Sequence, residues 1–249
     1  MDSSSSDKPK AVTINKDTIQ RLLRDIKQVI KNPLNEHGIY YTHDDADILK
    51  GYALIIGPSD TPYFGGYYFF EFTYPADYPH SPPVLKYCTN GDGIRFNPNL
   101  YTSGKVCISI LNTWRGEQWT SCQTITTTLL TLCTLLCKNP LLNEPGITKT
   151  HRDFMNYDKI IEYKNIDVAI LKIINKHNGV YPIIFDMFYS IIKEHFLKNS
   201  NDIIKYLENK MIDHPVPVLL TTEIYTMAVT IDYNKLHQKY IQSLETHRK

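Results

Sequence analysis

Between residues 95 and 111 the chain reads Arg95-Phe96-Asn97-Pro98-Asn99-Leu100-Tyr101 and, after Thr102 and Ser103, Gly104-Lys105-Val106-Cys107-Ile108-Ser109-Ile110-Leu111. The surrounding stretch, 88–120, is crowded with Gly, Asn, Pro and Ser yet holds both tryptophans, Trp114 and Trp119. A long loop with apolar anchors inside a compact domain tends to carry function rather than merely connect elements. Cys107 sits among turn formers and polar groups, so the sequence predicts a thiol that meets solvent and can react. Cys122, Cys133 and Cys137 fit the commoner role of a small buried apolar side chain.

Upstream of this loop the runs Ile48–Ile56, Tyr67–Tyr74 and Val84–Tyr87 are rich in aromatic and β-branched residues and are separated by Gly- and Pro-rich segments, which predicts an antiparallel meander. Before it, Ile19, Leu22, Leu23, Ile26, Val29 and Ile30 recur at helical spacing between Asn15 and Asn32, with Lys16, Arg21, Arg24, Lys27 and Lys31 on the opposite face. Downstream, Thr120-Ser121-Cys122-Gln123 fits a capping box that opens a buried helix through Ile125, Leu129, Leu132, Cys133, Leu136 and Cys137. Helical periodicity returns at Ile166, Ile170, Ile173 and Ile174, again at Ile184, Met187, Phe188, Ile191 and Ile192, and over Tyr233 to His247. Asp213-His214-Pro215-Val216-Pro217 interrupts that half.

The composition narrows the class. Across 249 residues, 42% hydrophobic and 21% charged, the chain is globular in type, and a formal net charge of +1 offers no global attraction to nucleic acid or to an anionic membrane. The most apolar window, Leu129 to Cys137, falls well short of the roughly 20 residues that span a bilayer. Met1-Asp2-Ser3-Ser4-Ser5-Ser6-Asp7 is polar where an export signal needs an apolar stretch, so a disordered tail is expected over 1–14. Five cysteines in a chain of this size predict a reducing compartment, cytoplasmic or nuclear, and no disulfide framework. Cys133 and Cys137 have the i, i+4 spacing of a helical metal pair but no CxxC knuckle, so no metal is expected.

Several further motifs flank the loop: Gly57-Pro58, Pro62-Tyr63-Phe64-Gly65-Gly66, Phe70-Glu71-Phe72 running into Tyr74-Pro75-Ala76-Asp77-Tyr78-Pro79, and Pro82-Pro83. With Asn97-Pro98-Asn99 eight positions before Cys107, their order and spacing resemble those of the ubiquitin-conjugating enzymes over roughly residues 15–175. The 95–111 stretch and Asn143-Glu144-Pro145-Gly146 are similar more narrowly to the large Z-type branch of that family, whose members carry a helical C-terminal extension. Asn156-Tyr157 and Ile231-Asp232-Tyr233 resemble that extension more weakly.

The resemblance implies an α/β (α+β) fold with an N-terminal helix, a four-stranded antiparallel meander and a central helix. It implies a catalytic domain over 15–176 and a helical extension over 177–249 packed on it. It also implies a monomer that receives ubiquitin or a ubiquitin-like modifier from an activating enzyme as a thioester on Cys107. The modifier then passes to a lysine of a protein substrate or to a ubiquitin ligase. No cofactor is expected in this chain, since ATP is used by the activating enzyme.

By the same resemblance Asn99 stabilises an oxyanion or holds the loop, and Asn97 and Pro98 support it, Asn97 standing where most members have a histidine. Glu144 positions the incoming lysine, with Asn143 competing for that role. Docking of ligase and activating enzyme falls to the first helix, with Arg21 and Arg24, and to loops carrying Pro79, His80, Trp119 and Ser121. His80 and Ser121 depart from the hydrophobic residue and the proline common there. Tyr40 lies near the small residue that many members present to a second, non-covalent ubiquitin, and its bulk argues against that contact. Two other readings remain open: an inactive variant serving as a binding module, and a cysteine hydrolase using His151 and Asp153.

Overall fold

The computed structural model describes residues 14–248, so most of the tail expected over 1–14 lies outside the described residues. Helix α1 spans Lys16–Lys31. Asn15 opens it by accepting from the Asp17 N–H, and the Asn32 N–H closes it on the Gln28 carbonyl. Its buried line is Thr18, Leu22, Asp25 and Val29, whereas Leu23 and Ile30, counted in the apolar stripe, are exposed. The buried face is displaced because Asp25 is satisfied inside, by Arg21 Nε at 2.9 Å and the Tyr78 hydroxyl at 2.6 Å.

Four strands form one antiparallel sheet in the order β1 (Ile39–His43), β2 (Lys50–Ile56), β3 (Tyr67–Thr73) and β4 (Val84–Tyr87). The pairings Tyr40 with Leu54, Leu54 with Phe69 and Ile56 with Tyr67 put these residues on one face, and Ala53, Ile55, Tyr68, Phe70 and Phe72 on the other. The second face carries Tyr68, which meets the rings of Tyr63 and Phe96 edge-on and so joins the sheet to the 95–107 loop. A Cβ at Gly66 would overlap the Asn165 amide, whose oxygen accepts from Tyr68 at 2.6 Å, so the second glycine of the 62–66 motif makes room for a partner about a hundred residues away.

Helix α2 (Ile125–Leu135) is capped by Thr124 and Thr127, which exchange hydroxyl and backbone contacts. The capping box therefore lies at 124–127 and not at 120–123, because the Ser121 and Gln123 carbonyls are taken by Arg21 at 2.6 and 2.5 Å and Thr120 to Gln123 form a turn. Helix α3 (Phe154–Lys164) runs into a π-helical stretch, Asn165–Lys172, in which every residue from 165 to 171 is buried.

The extension that follows is helical, with α4 (Tyr189–Lys198), α5 (Ser200–Asp213) and α6 (Tyr233–Arg248), and it also contains a hairpin of β5 (Val218–Thr222) and β6 (Met227–Ile231) that helical periodicity does not mark. Its first part crosses the first sheet face. Phe185 stacks on Phe69 at 4.5 Å and meets Tyr52 edge-on, and Tyr67 donates to the Ile192 carbonyl at 3.2 Å. Phe188 and Ile192 are buried there, whereas Ile184 and Met187 are exposed. Each fully buried aromatic or aliphatic side chain of this kind stabilises the fold by about 1.5–3 kcal/mol. No helix among the described residues is long and apolar enough to cross a membrane.

Candidate active site

The 95–107 loop is stapled by its own polar atoms. Asn99 and Cys107 face each other: the Cys107 N–H donates to the Asn99 carbonyl at 2.9 Å, and Asn99 Nδ2 donates to the Cys107 carbonyl at 2.7 Å. Between them Leu100 pairs with Val106, and Tyr101 N–H donates to the Lys105 carbonyl at 2.9 Å. Gly104 turns this short arm at φ 91°, a left-handed value that a side chain resists. Asn97 anchors the base: its Nδ2 donates to the Tyr63 hydroxyl at 2.9 Å and the Leu135 carbonyl at 2.8 Å, and its Oδ1 accepts from Asn99 N–H at 2.9 Å. Pro98, buried between them, offers its carbonyl to Arg95 Nη2 at 2.6 Å. Every polar atom of the Asn97 amide is thus used in holding the loop, which explains how an asparagine serves there.

Cys107 as a residue is 2% exposed, which corrects the expectation of an open thiol. Val106, Ile108 and Leu111 are buried around it, and the Thr113 hydroxyl binds the Ile108 N–H at 3.0 Å and the Val106 carbonyl at 3.1 Å, folding the following residues back on the loop. Of the other cysteines, Cys122 is exposed rather than buried. Cys88 is pushed up to about 11 by burial and then by the Glu71 carboxylate, and burial also raises Cys133 and Cys137, so these three stay thiols. Among the described residues no group of three or more His, Cys, Asp or Glu is placed to hold a metal ion.

On the other flank, Asn143 turns inward, with Nδ2 at 3.5 Å from both Asn97 Oδ1 and the Leu135 carbonyl, and Glu144 is left half-buried at the surface. Glu144 Oε2 accepts from the hydroxyl of Tyr225, which arrives from the β5–β6 turn. Burial, and then the Glu144 carboxylate, hold the Tyr225 phenol far above its ordinary value, so it stays a donor. The Arg95 guanidinium lies 3.3 Å over the Tyr101 ring and 4.9 Å from that of Tyr225. Asp153 anchors the turn, its Oδ2 accepting from Glu223 N–H at 3.0 Å and Ile224 N–H at 2.9 Å, while His151 Nδ1 accepts from Asp153 N–H at 3.2 Å. His151 and Asp153 therefore serve the hairpin, not a catalytic pair. Neither Tyr225 nor the role of Arg95 is readable from sequence, although Arg95 stands in the quoted motif.

The docking residues divide. Arg21 is consumed internally by Asp25, Ser121 and Gln123, and Trp119, buried against Tyr78, donates its indole N–H to the Pro79 carbonyl at 2.7 Å. Both tie α1 and the two loops into one edge. Arg24, His80 and Ser121 are exposed along it, and Pro79 is half-buried.

Comparison with known proteins gives the chain its relatives. The human ubiquitin-conjugating enzyme E2 Z is 43% identical over 153 residues, covering 60% of this chain and 43% of that protein, so the shared stretch spans under half of the relative. A probable ubiquitin-conjugating enzyme, protein 17 of Caenorhabditis elegans, is 33% identical over 213 residues, covering 80% of this chain and 29% of its own. The solved structure of human ubiquitin-conjugating enzyme E2 G1 aligns with 33% identity and a TM-score of 0.43, covering 50% of this chain and 97% of that one. The family profile described as ubiquitin-conjugating enzyme matches residues 21–167, more than half of the chain. On that match, the chain belongs to the ubiquitin-conjugating enzyme family.

Proposed function

We propose that Cys107 accepts ubiquitin or a ubiquitin-like modifier from an activating enzyme as a thioester and passes it to a substrate lysine or to a ligase cysteine. The observation that carries this reading is the reciprocal pairing of Asn99 and Cys107, which fixes the nucleophile's backbone at the motif asparagine. The incoming thioester is already activated, so a thiolate attacks it without a strong base; the activating enzyme's thiolate leaves and the modifier stays on Cys107 Sγ. In the second step the neutral lysine nitrogen forms the C–N bond, the C–S bond breaks with its electron pair returning to Sγ, and the nitrogen gives up a further proton, to the thiolate or to solvent, as it becomes the amide. The ammonium must lose a proton before attack, and we assign to Glu144, rather than to the inward-turned Asn143, the role of orienting it and taking part in that loss. The Asn99 amide, committed to the Cys107 carbonyl, acts first by holding the loop.

The same proposal places a catalytic domain over 15–176 with the extension over 177–249, working as a monomer in cytoplasm or nucleus, with exposed Arg24, His80 and Ser121 on the edge offered to activating enzyme and ligase. ATP is consumed by the activating enzyme, and the chemistry asks no cofactor of this chain. The near-complete burial of Cys107 favours a second reading, an inactive variant that binds partners of the pathway without being charged.

A non-reducing gel with activating enzyme, ATP and ubiquitin decides between them. The active reading expects a thiol-sensitive adduct that is lost in Cys107→Ala and becomes resistant to reductant in Cys107→Ser. No adduct, or one that persists in Cys107→Ala and moves to exposed Cys122, overturns it.

A further inference from the structure

The β5–β6 turn spends several interactions on fixing one side chain. Tyr225 and Thr226 both lie at left-handed φ, 61° and 51°, a conformation that non-glycine residues keep only where their surroundings enforce it. Asp153 accepts from the N–H groups of the two residues just before them, and Arg152 forms an ion pair with Glu223. The Tyr225 ring then lies 4.9 Å from the Arg95 guanidinium and meets the Tyr157 ring in a T-shaped contact, with centroids 6.1 Å apart. Arg95 in turn holds the Asn97 and Pro98 carbonyls, at 3.1 and 2.6 Å, so the same cation braces the loop that carries Cys107 and the ring that reaches Glu144. A turn serving only to cover α3 would need none of this at residue 225. A carboxylate has two oxygens, and the Tyr225 hydroxyl takes Oε2, which leaves Oε1 for an ammonium.

We infer that Tyr225 is a positioning residue for transfer to lysine: it fixes the Glu144 carboxylate that receives the incoming amine, so the C-terminal extension completes the acceptor side of the active site. The inference rests on the thioester reading above. It assigns the extension a part in the second step and none in the first, because charging involves no amine.

The test uses the full chain, with Tyr225→Phe, Glu144→Gln and the double variant. Tyr225→Phe removes the hydroxyl and keeps the ring over Arg95. Charging with ubiquitin is followed in a single turnover, then discharge to free lysine across a range of lysine concentrations. Tyr225→Phe is expected to charge within about twofold of wild type and to raise the half-saturating lysine concentration about 3- to 10-fold, the scale of one net hydrogen bond lost while the carboxylate itself remains, with the maximal rate little changed. Glu144→Gln should show a loss at least as large, and in its background Tyr225→Phe should add nothing, because the hydroxyl acts through the carboxylate. Unmoved lysine dependence in Tyr225→Phe overturns the inference, even if the melting temperature falls. A full loss from Tyr225→Phe that persists beside Glu144→Gln also overturns it. Failure of the wild type to charge overturns the thioester reading itself, and this inference with it.

Discussion

The two flanks of Cys107 are built in different ways. On the Asn97–Asn99 side every contact is made within the catalytic fold, and the decisive ones join residues two and eight positions apart. On the Arg95–Glu144 side the arrangement is finished by a residue 81 positions beyond Glu144, delivered by a hairpin that α3 anchors. Short separations let Asn99 and Cys107 close the loop on itself, since little chain entropy is lost in closing a small loop, and Asn97 then seats it on Tyr63 and the Leu135 carbonyl, 34 and 38 positions away. The second flank exists only when the extension has docked. The nucleophile's setting is thus local, and the acceptor's setting depends on the whole chain.

The largest effect should come from breaking the local flank. Asn99→Ala removes the donor to the Cys107 carbonyl, and discharge to lysine should fall about 10- to 100-fold, the scale of leaving a buried carbonyl without its partner and loosening the loop. Charging should slow as well, because the loop loses its staple; single-turnover charging that stays normal while discharge collapses would show that the amide leaves the Cys107 carbonyl to serve the oxyanion, and would erase this half of the contrast. Next is Asp153→Ala, which strips the acceptor from two turn N–H groups and should cost about 1–3 kcal/mol in a thermal melt. It should slow lysine discharge severalfold and spare charging, so equal slowing of both steps would mean that the hairpin supports the fold in general. The smallest effects test the α1 edge. Arg21→Ala should lower the melting temperature, having lost contacts to Asp25, Ser121 and Gln123, whereas exposed Arg24→Ala should stay within about 0.5 kcal/mol of wild type. An Arg21→Ala protein with unchanged melting but weakened charging would make Arg21 a docking contact after all.

What could be read from the sequence follows the same division. Helix α1 and strands β2 to β4 are legible because asparagines flank the helix and glycines and prolines separate the strands. The loop was legible because its asparagines, glycine and cysteine lie within a dozen residues. Strand β1 escaped periodicity, for Ile39–His43 alternates weakly, with one buried and three half-buried residues. The stretch after α3 reads as helical through Ile166 and Ile170, but its π turn does not: when residues 165–171 are buried all round, no polar face reports the pitch. The capping box lies four positions beyond the Thr120–Gln123 that the sequence offers, where the carbonyls answer to Arg21, about a hundred residues away. Tyr225 left no trace, since a lone tyrosine in a turn has no pattern that names Glu144 as its partner.

A core lined with phenols has an optical consequence. Tyr63, Tyr67, Tyr68, Tyr74, Tyr87 and Tyr157 are fully buried, and burial above all holds each of them well above the ordinary value. Because the folded values lie above the unfolded value of about 10, the stability this represents is complete below that pH and drains away as the solution becomes more alkaline. An ultraviolet titration should therefore show an early wave from accessible phenols and a later, steep one that coincides with loss of ellipticity, when the core opens and its tyrosines ionise together. The interior of the molecule thus sets an alkaline ceiling on the very assays that favour a neutral lysine, and absorbance alone reports when that ceiling has been reached.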